Sequence, residues 1–289
     1  MQLTRISILG VGLLGGSVGL AAKALVNSCT VSGYSHRPST LQAALDVGAI
    51  DVAHARPADA VRNVDLVFLC TPVSVFEEML RQIGPALSPG TVVTDVGSTK
   101  RSVVALAEKL LPRKVHFVGS HPMAGSEKRG VEFARPDLFQ NSLCITTPTR
   151  RTNKLALAAV ETFWQTLGMS LVRLCPDDHD RLLADVSHLP HALAAALITM
   201  QADQGLPLAG KGFLDSTRIA GGDGALWRDI LLDNRDNIRA SLRRLRHHLA
   251  VLEKLLEDGH EQALAAWLDQ AAARRRDLLN QKLREVNPD

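Results

Sequence analysis

The chain has only four cysteines, and no two of them form a Cys-x-x-Cys pair. Cys29, Cys70, Cys144 and Cys175 therefore fit neither a zinc site nor a disulfide framework, and they read as reduced thiols of a cytoplasmic protein. No stretch of about 18 or more uninterrupted apolar residues occurs, which argues against a membrane span. Charge of one sign is also missing. The formal net charge is +3, with Lys and Arg spread along the whole length, so no concentrated basic stripe is available for nucleic acid. The one basic cluster, Arg274-Arg275-Arg276, reads as the solvated face or the end of a helix. Neither an internal repeat nor a low-complexity linker is visible, and no leader peptide is expected ahead of a strand that begins by Leu3.

What is present is a soluble, globular composition: 46% hydrophobic and 22% charged residues over 289 positions, long enough for two domains. The first part alternates short apolar runs with helical patterns, which predicts a parallel sheet wrapped by helices. Strands are expected at 5–9, 30–34, 66–70, 92–95, 115–118, 143–146 and 170–174. Amphipathic helices are expected at 13–26, 40–47, 75–83, 100–110 and 154–167. After Pro176 the alternation stops, and the pattern is helical to about Arg284, broken near Gly205–Gly212 and Gly221–Gly224. The expected fold class is α/β: an N-terminal Rossmann-like, doubly wound, mostly parallel sheet over 1–174, then an all-helical dimerisation domain over 175–289. Helices with apolar faces on several sides favour a homodimer through that second part.

Gly10-Val11-Gly12-Leu13-Leu14-Gly15 follows the first strand and opens the first helix. That context turns a weak motif into a dinucleotide fingerprint, in which glycines allow the turn and the close approach of a pyrophosphate to free helix N–H groups. At the end of the second strand, where an acid would bind the adenosine ribose, the chain has Ser35-His36-Arg37, with no acid before Asp46. Ser35 can hydrogen-bond a 2′-phosphate, and His36 and Arg37 can neutralise it, so NADP is favoured, with NAD as the alternative. Cys70-Thr71-Pro72, just past the Leu66–Cys70 strand, reads either as a cofactor contact or as an ordinary strand-to-helix turn.

Two more strand ends point to the same crevice. Ser98, in Asp95-Val96-Gly97-Ser98-Thr99-Lys100, is expected to cap the helix that follows. His121 stands in the polar loop Gly119-Ser120-His121-Pro122, which continues through Gly125-Ser126-Glu127. A lone His at a strand end is more often structural, but a Ser at the neighbouring strand end shifts the balance towards catalysis. His188 and His191 share a helix face, yet no carboxylate or third His falls at ligand spacing, so no metal is expected.

The loop from His121-Pro122 to Glu127, the segment Ser187-His188-Leu189-Pro190-His191-Ala192 and the segment Asp215-Ser216-Thr217-Arg218-Ile219-Ala220, followed by Trp227-Arg228-Asp229, come in one order behind the glycine fingerprint. Together they resemble the prephenate and arogenate dehydrogenases, the TyrA family, in its minimal form without a mutase segment or a regulatory domain. The resemblance implies oxidative decarboxylation of a cyclohexadienol, with hydride transfer to NAD(P), on the route to tyrosine. In this reading His121 contacts the substrate hydroxyl and Ser98 orients that contact. Arg218 clasps a carboxylate, since a guanidinium offers parallel donors. His191 and Ser126 add polar contacts, and Trp227 lies near the pocket or the dimer seam. Tyrosine is the candidate inhibitor. The alternative is a β-hydroxyacid or imine-type dehydrogenase of similar two-domain plan, which would not need the His-Pro loop.

Prephenate and arogenate differ by a keto group against an ammonium. Glu127, the one acid in the loop, would attract the ammonium, although Lys128 and Arg129 stand beside it. Replacement Glu127→Gln is expected to raise relative efficiency with prephenate. Steady-state kinetics with an unchanged substrate ratio would refute that role.

Overall fold

Buried parallel strands must be apolar on both faces, and the run Leu66-Val67-Phe68-Leu69 meets that demand. The computed structural model describes residues 3–26, 28–126 and 128–286, with side chains described to residue 282. All seven expected strands form: β1 (Arg5–Leu9), β2 (Thr30–Tyr34), β4 (Leu66–Leu69), β5 (Val92–Asp95), β6 (His116–Pro122), β7 (Leu143–Thr147) and β8 (Ser170–Arg173). An eighth, β3 (Val52–His54), is a short edge strand without an apolar run to announce it. The sheet order is β3-β2-β1-β4-β5-β6-β7-β8, parallel throughout except where β6 meets β7. This is the doubly wound sheet expected from the sequence.

The departure at β6 matters for the site. Residues 119–122 were expected to be loop, but they are strand. His116–Val118 pair in parallel with β5, and Gly119–Pro122 then leave it to pair antiparallel with β7. Backbone groups that would be orphaned at the end of the parallel ladder find partners on the other side, so a glycine-containing, turn-like sequence runs on as sheet.

The helices α1 (Leu13–Leu25), α2 (Pro38–Asp46), α3 (Pro57–Ala60), α4 (Phe76–Ile83), α5 (Arg101–Leu110) and α6 (Lys154–Thr166) cover the two faces. One face packs Ile6, Ile8, Val18, Phe68, Phe163 and Trp164, and the other packs Leu9, Val67, Phe76, Leu80 and Val103. Trp164 is fully buried, edge-on to Phe68, Phe139 and Phe163, and its Nε1–H donates to Ser120 Oγ at 3.1 Å.

Contacts divide the chain into Met1–Arg235 and Asp236–Asp289. The first unit holds the sheet and a run of further helices: α7 (Pro176–Leu183), a π-helical turn (Ala184–His188), α8 (Leu189–Thr199), α9 (Lys211–Thr217) and α10 (Gly224–Asp233). The run Pro176–Thr199 is long and apolar enough to cross a membrane by length and composition alone. Its His179, Asp180, His188 and His191 are nevertheless buried inside the first unit. The second unit comprises most of α11 (Arg235–Glu257) and α12 (Glu261–Val286).

Because Trp164 fills the centre of one core and also donates a buried hydrogen bond, Trp164→Ala should destabilise the protein by about 3–5 kcal/mol. Urea unfolding followed by circular dichroism measures it, and a loss below about 1 kcal/mol would contradict this packing role.

Candidate active site

The glycine fingerprint is built as its sequence implies. Gly10 adopts φ +103°, and a Cβ there would lie 2.7 Å from the Cys70 carbonyl oxygen, so only glycine lets β1 and β4 end side by side. Gly12 caps α1 without any side-chain hydrogen bond, leaving first-turn N–H groups free, and a Cβ there would meet no atom of the chain within 4 Å. Space is thus kept open above an uncapped helix N-terminus, which suits a pyrophosphate. Thr71 Oγ1 is buried without a protein partner and supplies a waiting polar contact beside it. Val11, Leu13, Leu14 and Gly15 complete the strand-to-helix turn, with Gly15 packed against Gly10 and Ile8. Cys70, Thr71 and Pro72 lie at the adjoining end of β4.

Ser35, His36 and Arg37 stand at the end of β2, with His36 and Arg37 exposed. Ser35 Oγ accepts the Arg37 N–H at 3.3 Å, and Asp46 lies at the far end of α2.

Ser98 does not cap α5. The helix begins at Arg101, and the cap comes from eighty residues away: Asp180 Oδ1 accepts the Lys100 N–H at 2.7 Å and Oδ2 accepts the Arg101 N–H at 2.9 Å. A serine hydroxyl reaches only its own turn, whereas the Asp180 carboxylate brings a full negative charge to the helix N-terminus. Ser98 is instead half-buried in the turn after β5, its backbone beside His188.

His121 is buried within β6, near its end. Its Nδ1 lies 2.9 Å from His179 Nε2, and His179 Nδ1 lies 2.8 Å from Asp180 Oδ1. Burial, first, and the neighbouring His179 and Lys100 hold the His121 pKa well below its ordinary 6.5. His179 is likewise lowered by burial, and Asp180 is held below the usual carboxylate range by His179 and two backbone N–H groups, against the opposing effect of burial. At neutral pH the two imidazoles are neutral and the carboxylate is charged. The chain of three groups was not legible beforehand. His179 and Asp180 sit in a helical stretch with no motif spacing to His121, and only the fold joins residues 58 apart.

Behind this chain lies a buried ion pair, Lys100 with Asp95, both fully buried. Burial pushes the Asp95 carboxyl up, while Lys100 and the N–H groups of Gly97 and Ser120 favour the charged form. The pair stiffens the β5–α5 turn that carries Ser98. Asn234 Nδ2 lies 2.7 Å from the Asp180 carbonyl oxygen and 3.0 Å from His188 Nδ1, and burial lowers the His188 pKa to about 4.

Across from it, His191 stacks on Trp227 with centroids 3.4 Å apart and planes 13° from parallel, and His188 meets the same indole edge-on. His191 Nδ1 is buried with no protein partner. Gly222 lies against both rings, and a Cβ there would sit 2.7 Å from Trp227 Nε1. Arg218, in the preceding turn, is exposed and makes no ion pair among the described residues, so its guanidinium is open to an anion. Ser126 is exposed, and its Oγ accepts the Lys128 N–H at 3.1 Å. Glu127 lies outside the described residues. Arg129 pairs with Asp223, the cap of α10, and Lys128 lies over the Phe133 ring, so the loop is tied to the helix that carries Trp227. Among the described residues no three His, Cys, Asp or Glu side chains form a metal-binding group.

Fold and site define a Rossmann-type dinucleotide-binding protein with a buried histidine at the carboxyl ends of its strands. Comparison with known proteins narrows this. The family described as "Prephenate dehydrogenase, nucleotide-binding domain" matches residues 18–173, and "Prephenate dehydrogenase, dimerization domain" matches residues 175–270. Prephenate dehydrogenase of Bacillus subtilis is 38% identical over 240 residues, 81% of this chain, which spans 65% of that relative's length. Cyclohexadienyl dehydrogenase of Zymomonas mobilis is 35% identical over 258 residues, 87% of each chain. The crystal structure of prephenate dehydrogenase from A. aeolicus, in complex with hydroxyphenyl propionate and NAD+, is similar with a TM-score of 0.89 and 33% identity, covering 96% of this chain and 99% of that one. The chain belongs to the prephenate dehydrogenase family, and the hydroxyacid or imine alternative is set aside.

Since a Cβ at Gly12 would meet no atom of the chain within 4 Å, Gly12→Ala should leave the melting temperature within about 2 °C of wild type and weaken dinucleotide binding by roughly tenfold or more. Calorimetric titration with NAD and NADP, beside a thermal melt, checks both halves; unchanged affinity would remove the pyrophosphate from this turn.

Proposed function

We propose that the protein oxidatively decarboxylates prephenate, arogenate or both, using a nicotinamide dinucleotide, with His121 as the group that handles the substrate's hydroxyl proton. The observation that carries this is the buried, neutral His121, whose Nδ1 is already engaged and whose Nε2 remains for the substrate. When bound, the nicotinamide accepts the hydride. His121 takes the hydroxyl proton as the ring carbon is oxidised, and carbon dioxide then leaves as the ring becomes aromatic. The atom balance returns that proton from His121 to the phenolate oxygen, so no net proton is released.

Ser98 orients the hydroxyl contact, Arg218 holds a carboxylate bidentately, and His191 and Ser126 add polar contacts, with Trp227 fixing His191 by stacking. NADP is the favoured cofactor, supported by the absence of an acid near the end of β2 and by exposed Arg37 and His36. The division into a dinucleotide-binding part over 1–174 and a substrate and dimerisation part over 175–289 is supported by the change of family description between residues 173 and 175. Leu249, Leu256, Leu268, Leu278 and Leu279, exposed on α11 and α12, support a homodimer formed through the helical part. The enzyme is read as soluble and cytoplasmic, with tyrosine as a candidate inhibitor.

Reduced-nicotinamide absorbance on mixing the protein with prephenate or arogenate and NAD or NADP tests the activity; no turnover with any of the four pairs defeats it. His121→Asn should lower kcat by roughly 10²–10⁴-fold. A base whose pKa lies below 6.5 is active above that pKa and protonated as the pH falls through it. The acid limb of kcat/KM should therefore lie below pH 6.5, and a limb centred at or above 6.5 would contradict the buried, neutral histidine.

A further inference from the structure

We propose that His179 and Asp180 are positioning residues that select which nitrogen of His121 carries its proton, leaving Nε2 bare to act as the base. The inference rests on the reading of His121 given above and extends it to two residues that no motif marks.

The argument is one of hydrogen counting. Asp180 accepts two backbone N–H groups, from Lys100 and Arg101, and an ionised carboxylate can only accept. Its contact with His179 Nδ1 at 2.8 Å therefore puts the His179 proton on Nδ1. A neutral imidazole carries one proton, so His179 Nε2 is a lone pair. That lone pair lies 2.9 Å from His121 Nδ1, which must donate. The only remaining nitrogen of His121, Nε2, then holds a lone pair. Histidine free in water favours the opposite tautomer, with the proton on Nε2, which could not accept a proton there. The protein imposes the reactive form through a three-group chain, in the way a carboxylate orients the imidazole of a hydrolase triad, but with a second imidazole inserted.

Burial makes the selection strict. His179 and Asp180 are 0% and 1% exposed, so water does not compete for either nitrogen of His179. The chain also has a use during turnover. When His121 Nε2 takes the substrate proton, the positive charge faces, through His179, a carboxylate already anchored by the start of α5.

The test reads the tautomer directly and then its kinetic consequence. The full-length wild-type protein, with 15N-labelled histidine, is studied by long-range 1H–15N correlation near pH 7.5, with His121 assigned by its disappearance in His121→Asn. The expected pattern is the Nδ1–H tautomer for His121; an Nε2–H pattern overturns the proposal whatever the variants do. His179→Leu should lower kcat by roughly 10²-fold while KM stays within about threefold. His179→Gln, whose side-chain oxygen can still accept the Nδ1–H, should recover most of that loss. A Leu variant that folds, by circular dichroism, and turns over within twofold of wild type overturns the proposal, as does a Gln variant no better than Leu. If the wild-type protein turns over no cyclohexadienol, the function proposed above fails, while the tautomer measurement still decides the hydrogen-bond chain by itself.

Discussion

The start of α5 has free backbone N–H groups that must find acceptors, and the nearest side chains of its own turn do not supply them. Asp180 does, from α7. This one carboxylate fixes the helical segment that begins at Pro176 to the β5–α5 turn of the sheet, and the same oxygen that caps the helix also holds His179. Placement of His121, closure of the helix end and docking of α7 are thus three results of one charge. The remaining polar groups arrange themselves around it: Asn234 reaches the Asp180 carbonyl and passes the contact on to His188, and Lys100, whose N–H is capped, turns its ammonium to Asp95.

Such a cluster would be costly if any member were unpaired, because an isolated charge buried in a low-dielectric interior is strongly unfavourable. Here Asp95 meets Lys100 and two N–H groups, and Asp180 meets a neutral imidazole and two N–H groups. Among the described residues the buried side-chain atoms without a protein partner are Ser7 Oγ, Thr71 Oγ1, Thr99 Oγ1, Thr147 Oγ1, His188 Nε2 and His191 Nδ1, and of these Thr71 lies at the end of β4 and His191 beside Trp227.

Much of this was legible in the residues. The strands at β1, β2, β4 and β5 follow from runs of Ile, Val, Leu and Phe, and the turn at Gly10–Gly15 from its position between a strand and a helix. His121, His191, Arg218 and Trp227 were singled out through the resemblance of their motifs to a family, and the fold brings His191 and Trp227 into contact. Less legible was anything that depended on a partner distant in sequence. Ser98 read as a helix cap because Ser in that place usually is one, and Asp180 took the role by reaching in from another element. Gly119–Pro122 read as loop because its composition is turn-like, and it became strand because β7 offered a second ladder.

The sequence by itself determined the class of fold, the dinucleotide turn and the residue types the chemistry requires, because those rest on local periodicity and on short motifs whose geometry is carried within a few residues. The tertiary structure alone decided how His121 is held, which nitrogen it presents and what caps α5. Those outcomes depend on Lys100, His179, Asp180 and Asn234 meeting in one buried place, and hydrogen bonds between residues 54 to 80 positions apart leave no periodic trace in the chain.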